Sequence, residues 1–328
     1  MSTAVVFLGI LSILVMIHEL GHFLTARYLG IKVEELAFGL PFTRPIFKFK
    51  KGETQYAIYP LLFGGFVRLY GEETQAEDKK RSFWDRGRKQ RMMVIAAGVM
   101  MNLVLAMVAF VGLYAHVGVP QGVVEKVTVV RVDADSPAQG AGLKENDVLL
   151  AVEGKGGGVG VNMTVERGDN LYLFEGIVSK NRETLVVNAV PRLNPPEGQG
   201  ALGVVVAGYP YLESAKCKVQ SAKCVIGAIG AGVKSTGTWM GRVIEGLRGM
   251  GKSLVEGKKP EGVSGPVGIY QLTGVVATGG FWPVLELMAV LSVNLAVFNV
   301  LPIPALDGGR MLFIWVEWAR GKRMDPRA

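Results

Sequence analysis

Two histidines stand four residues apart with a glutamate beside the first: His18-Glu19-Leu20-Gly21-His22. On a helix that spacing puts both imidazoles on one face, where they can grip one zinc ion while the glutamate acts on water at the metal. The setting narrows the chemistry. Residues 3–17 are uncharged and almost wholly apolar, and apolar side chains continue at Leu20, Phe23, Leu24 and Ala26. From about Ala4 to Leu24 the run is long enough to cross a hydrocarbon core of ~30 Å. A Glu and two His inside such a span are costly, and function is the default reading. These residues point to zinc-dependent hydrolysis inside a membrane.

The elements that must hold them follow from hydropathy. The N-terminal run has no basic start and no small-residue cleavage site, so it is expected to stay as a first membrane helix rather than leave as a signal peptide. A second helix is expected from Met92 to Val119, with Asn102 inside it and small Ala96, Ala97 and Gly98 allowing close packing. A third runs from Phe281 to about Ile303, apolar except for Glu286, Asn294 and Asn299. Glu286, near the outer end, reads as an interface residue. After it, Pro302 and Pro304 end regular helix and leave Asp307 on a non-helical turn at membrane depth. Irregular backbone is tolerated there only inside protein or beside a water-filled cavity.

Between the first two helices, Gln55–Tyr59 and Leu61–Leu69 read as strands of a membrane-associated β-hairpin. Gly64-Gly65 suggests a bulge or a close backbone approach. The pair is either an ordinary hairpin on the membrane surface or an edge strand that pairs with extended substrate.

The net charge of +8 could suit nucleic acid, but its distribution does not. Residues 27–91 carry 14 Lys/Arg against 8 Asp/Glu, whereas 117–214 carry 8 against 12. That asymmetry is the positive-inside pattern. It puts the His18–His22 end and the basic C-terminal tail towards the cytoplasm, and the N-terminus and the second region outside it. No nucleic-acid partner is expected; membrane lipid is.

Four regions result: 1–119, the first part of a membrane core; 120–210, a water-soluble module; 211–262, amphipathic interfacial helices; and 263–328, the second part of the core. In the module, Ser136-Pro137-Ala138, then Ala141-Gly142-Leu143, then Asp147-Val148-Leu149-Leu150 resembles a PDZ domain of the bacterial protease type. Lys155–Gly160 reads as a loop. Cys217 and Cys224 read as apolar fillers of one helical face.

His18-Glu19-Leu20-Gly21-His22 together with Asn299-Val300-Leu301-Pro302-Ile303-Pro304-Ala305-Leu306-Asp307-Gly308 resembles the site-2 protease family, specifically its bacterial RseP-type branch. The likeness extends to Gly64-Gly65-Phe66-Val67, Arg81-Ser82-Phe83, Ala96-Ala97-Gly98 with Asn102, and Ser264-Gly265-Pro266-Val267-Gly268. It implies a polytopic α-helical membrane protein of about three transmembrane helices plus the β-hairpin, with one inserted α+β PDZ-like domain, in a bacterial inner membrane. It implies one zinc ion per chain, held by His18, His22 and Asp307, with Glu19 as catalytic base. It implies cleavage of single-pass membrane proteins within their transmembrane segment, such as anti-sigma factors or remnant signal peptides. Asn294 and Asn299 match asparagines used around the substrate, and the edge strand at Gly64 and Gly65 is a second candidate contact. The PDZ-like domain would take a peptide or carboxyl terminus. Val99 stands where relatives usually carry Pro, and the chain stops soon after Asp307 where many continue into a fourth helix. The alternative function is a catalytically silent, membrane-anchored PDZ adaptor or sensor, which would need neither Glu19 nor Asp307.

Overall fold

The computed structural model describes residues 2–72, 77–154, 160–215, 222–258, 265–304 and 306–323. In chain order the elements are α1 (Thr3–Tyr28), β1 (Val33–Leu40), β2 (Phe47–Lys51), β3 (Thr54–Ile58), β4 (Leu61–Leu69), α2 (Arg88–Val117), β5 (Val119–Val132), α3 (Pro137–Gly140), β6 (Val148–Glu153), β7 (Val161–Leu173), β8 (Gly176–Ala189), β9 (Val204–Ala215), α4 (Ala222–Val255), α5 (Pro266–Thr278), α6 (Phe281–Val300) and α7 (Asp307–Arg320). They fall into two units, Met1–Leu113 with Ala228–Ala328, and Tyr114–Gly227.

In the first unit, α1, α2 and α6 are long and apolar enough to cross a membrane. Their ends follow local rules. Past α1, Gly30 takes φ +71°, the Gly30 N–H reaches Arg27 O and the Ile31 N–H reaches Ala26 O, a Schellman closure. Helix α6 stops because Leu301 precedes Pro302 and is held extended at ψ 141°. Met93, Met100, Val104 and Val108 are exposed along one face of α2, as a lipid-facing stripe would be. The inner faces close two apolar clusters. Ile10, Leu14 and Leu287 join α1 to α6, with Leu105 of α2 packed against them. Phe23, Ala26, Val33, Leu69, Val94, Ile95 and Ile314 join α1, β1, β4, α2 and α7.

The hairpin expectation is corrected by a four-stranded sheet in the order β2-β3-β1-β4. The two expected strands do not pair with each other. Between them lies β1, parallel to β3 and antiparallel to β4. β1 escapes a pattern search because Glu35 takes one of its buried positions. Its carboxylate accepts from Tyr59 Oη at 3.0 Å, Gln55 Nε2 at 3.2 Å and Arg68 Nη1 at 3.1 Å.

Two further helices flank α6 where no helix was expected. α7 starts at Asp307 itself, so that residue opens a helix rather than sitting in an irregular turn. The segment 211–262 contains the end of β9 and then one 34-residue helix, α4, in place of several short ones. Where Gly232 lies in α4, an added Cβ would fall 2.5 Å from Val111 Cγ2, so α4 packs closely on α2. Cys224 is disulfide-bonded rather than an apolar filler; Cys217 lies outside the described residues. Glu286 is also not at an interface with water: it is 1% exposed.

The second unit is a closed barrel of β5-β6-β7-β8-β9. Its described residues include one four-residue helix, α3, capped by Ser136 Oγ accepting from the Gln139 N–H at 3.1 Å. The expected α+β balance is therefore replaced by an almost all-β unit. The reason is β7, whose Val161, Met163 and Val165 alternate into the core with Val129, Val187 and Ala189. Most of the expected loop, residues 155–159, lies outside the described residues.

A buried ion pair fixes α7 against the start of α2. Arg91 and Glu317, 0% and 2% exposed at their side chains, bond through Arg91 Nη2 and Glu317 Oε2, and the Arg91 guanidinium lies 4.9 Å over the Trp84 ring. Removing one partner strands a buried charge, which typically costs about 3–5 kcal/mol. Glu317→Ala should therefore lower the thermal unfolding midpoint of the detergent-solubilised chain clearly, and an unchanged midpoint contradicts the pairing.

Candidate metal centre

His18 and His22 are buried side by side on α1, their ring centroids 4.7 Å apart. Asp307, the first residue of α7, reaches them from the far end of the sequence. Its Oδ2 lies 2.9 Å from His18 Nε2 and 3.2 Å from His22 Nε2, and the two Nε2 atoms are 3.1 Å apart. The three are a group that could hold a metal ion.

The donor chemistry supports that fit. His22 Nδ1 lies 2.8 Å from Val94 O and donates to it, which in the neutral ring leaves a lone pair on Nε2. That lone pair faces a carboxylate oxygen, and a cation held between them makes the arrangement favourable. Tetrahedral zinc at ~2.0–2.1 Å from each donor sets neighbouring donors about 3.3 Å apart. The observed triangle is close to that.

The surrounding backbone is shaped for it. An added Cβ at Gly98 on α2 would fall 2.5 Å from His22 Nε2 and 2.8 Å from His18 Cε1, and one at Gly21 would fall 2.4 Å from Ala97 O. Helices α1 and α2 thus meet through two glycines at the level of the imidazoles. The return from α6 is equally tight, since a Cβ at Gly308 would fall 2.1 Å from Leu301 O. Gly308, next to Asp307 in α7, thus packs directly on the end of α6. Spacing alone identified the histidines, while Val94 O, which orients His22, carries no signal in the sequence.

Glu19 is half-buried, and the Val67 backbone amide of β4 hydrogen-bonds it. Gly65 is beside it, with an added Cβ 3.6 Å from Glu19 Cγ and 3.3 Å from Met16 Sδ. Gly64 lies in the bulged part of β4 at φ +126°, where Phe38↔Gly65 gives way to Leu40↔Leu61. Strand β4 is the sheet's edge and borders α1. Asn299 is buried on α6, and Asn294 on the same helix donates to Val290 O at 3.0 Å. Both stand on α6, the helix that precedes Asp307 in the chain.

A family profile described as Peptidase family M50 matches residues 6–328. A Clostridium acetobutylicum protein provisionally named a zinc metalloprotease is 33% identical over 319 residues, covering 95% of this chain and 86% of that protein. The regulator of sigma-W protease RasP of Bacillus subtilis is 29% identical over 406 residues, covering 99% and 92%. The zinc metalloprotease RasP of Geobacillus kaustophilus is 27% identical over 410 residues, covering 99% and 91%.

Any side chain at position 98 must push the His22 ring off the shared point. Gly98→Ala should therefore leave the purified chain without stoichiometric metal, as read by elemental analysis, while Gly87→Ala, where an added Cβ meets nothing within 4 Å, should leave it loaded.

Proposed function

The chain belongs to peptidase family M50, and from that premise we propose that it cleaves single-pass membrane proteins within their transmembrane segment, using His18, His22 and Asp307 as zinc ligands and Glu19 as the base. It is a zinc metalloprotease of the site-2 type. The observation that carries the residue assignment is the convergence of two Nε2 atoms and one carboxylate oxygen, all within 4.8 Å of one another. An adaptor without catalysis has no use for that triad, or for the glutamate beside it.

Zinc bound at this point supplies Lewis-acid polarisation of the scissile carbonyl and makes water acidic enough to attack near neutral pH. Glu19 takes the proton from the attacking water and delivers it to the leaving amine. The Val67 amide holds the Glu19 carboxylate on the β4 side. Gly65, with no side chain, leaves room between that strand and α1.

Peptide bonds in a helix are shielded, so a substrate helix must unwind at the site, and its freed amides then need partners in a medium that supplies none. β4 pairs with β1 on one edge and has no strand on its other edge among the described residues. An unwound substrate segment adds there as a further strand, with the Gly64-Gly65 bulge admitting it closely. Asn294 and Asn299, each with donors and an acceptor, serve the remaining groups. Substrates of this kind include anti-sigma factors and remnant signal peptides.

The positive-inside charge pattern orients the chain in a bacterial inner membrane. The N-terminus and the barrel unit lie outside the cytoplasm, and the His18–His22 end and the C-terminal tail face it. The disulfide at Cys224 agrees, since such bonds persist in oxidising compartments. The barrel unit plays the PDZ-like part of receiving a peptide or carboxyl terminus. Strands β8 and β9 pair at one position, Ile177↔Tyr211, and a cavity of about 800 Å³ lined by His116, Lys180, Arg182 and Glu213 lies beside them.

Glu19→Gln should keep one zinc per chain and lower cleavage of a model transmembrane peptide by roughly 10²–10⁴-fold. Turnover at the native rate removes Glu19 as the base. Asn299→Leu should slow cleavage with zinc content unchanged, and loss of zinc in that variant refutes its substrate role.

A further inference from the structure

The two imidazoles are oriented differently. His22 has a carbonyl to accept its Nδ1 hydrogen, Val94 O at 2.8 Å. His18 turns its Nε2 to the same point, 2.9 Å from Asp307 Oδ2, so its hydrogen also belongs on Nδ1. That Nδ1 faces the side-chain amide nitrogen of Asn102 at 3.2 Å, which sets one donor against another. On the other side of the same amide, Asn102 Oδ1 is buried with no hydrogen-bond partner among the described residues. Asn102 itself is 0% exposed, and its backbone carbonyl accepts from Ser292 Oγ of α6 at 2.8 Å.

One half-turn of the amide removes the clash of donors: it brings Oδ1 onto the His18 Nδ1 hydrogen with no movement of the backbone. We propose that Asn102 is the positioning residue for His18. Its side-chain oxygen accepts the Nδ1 hydrogen, and so fixes the tautomer and ring plane in which His18 Nε2 binds zinc, a role which rests on zinc being held at this point.

The Ser292 bond gives Asn102 its rigidity. It clamps the Asn102 peptide between α2 and α6, so the amide reaches His18 from a fixed base. The acceptor here is a neutral amide rather than a carboxylate. Glu19 and Asp307 already place two carboxylates in this region, and a third buried charge carries its own desolvation cost.

The test is zinc affinity of the full chain in detergent, measured by competition with a chelator. Loss of the partner that orients a zinc-bound histidine typically weakens binding by about 10–100-fold. Asn102→Leu should show that loss. Asn102→Asp keeps an acceptor of the same size and should bind zinc within about threefold of the native chain or more tightly, given that a carboxylate raises ligand basicity. Native affinity in Asn102→Leu, or equal losses in the two variants, overturns the proposal.

A second measurement needs no variant. The chain has three histidines, so ¹⁵N spectra of the histidine-labelled, zinc-loaded protein can resolve them. His18 should show a hydrogen on Nδ1, and a bare Nδ1 overturns the proposal even if Asn102→Leu does not fold. Native chain that binds no zinc at all would instead sink the metal assignment, leaving the two failures distinct.

Discussion

Two lone-pair nitrogens and a carboxylate oxygen, each about 3 Å from the others, repel unless a cation lies among them. Much of the membrane unit is arranged to impose that contact. Helix α1 presents both imidazoles on one face, α2 gives up side chains at the level where it crosses them, and α6 ends so that Asp307 can turn back. Each device has a local cost in backbone freedom or buried polarity. A metal bound among the three would offset those costs, because binding to the assembled site is itself a stabilising free energy.

Several of the polar groups buried in this unit are paired across elements. Arg91 meets Glu317, Glu35 meets Tyr59 and Arg68, and Ser292 meets the Asn102 carbonyl. In hydrocarbon an unpaired group has no water to turn to, so these pairs help specify which surfaces of the helices and sheet meet. Helix α7 shows the division clearly. Glu317 and Ile314 face inward, while Trp315 and Trp318 are 58% and 61% exposed, as aromatic residues at a membrane boundary commonly are.

The sequence disclosed the parts of this design that are local. His18, Glu19 and His22 are legible from spacing, and α1, α2 and α6 from uninterrupted apolar runs. Asp307 was not legible that way, and its role came from resemblance, because nothing local ties residue 307 to residue 18. The helix it opens was hidden by charge: Arg310, Glu317 and Arg320 look like a solvated tail until Glu317 is seen bonded to Arg91, 226 positions away. β1 was hidden for the same reason, with a buried glutamate in its core register. β7 went unread because its polar positions interrupt the apolar ones over 13 residues, and the barrel that pairs them is non-local.

The spacing of positions 18, 22 and 307 along the chain also sets an order in time. Translation at about 5–20 residues per second separates the second histidine from the aspartate by roughly 15–60 s. Throughout that interval the nascent chain has the two imidazoles and the glutamate but not the Asp307 carboxylate, while other newly inserted helices lie in the same bilayer. A site built from these three residues stays incomplete until residue 307 has been made, however early its two histidines emerge.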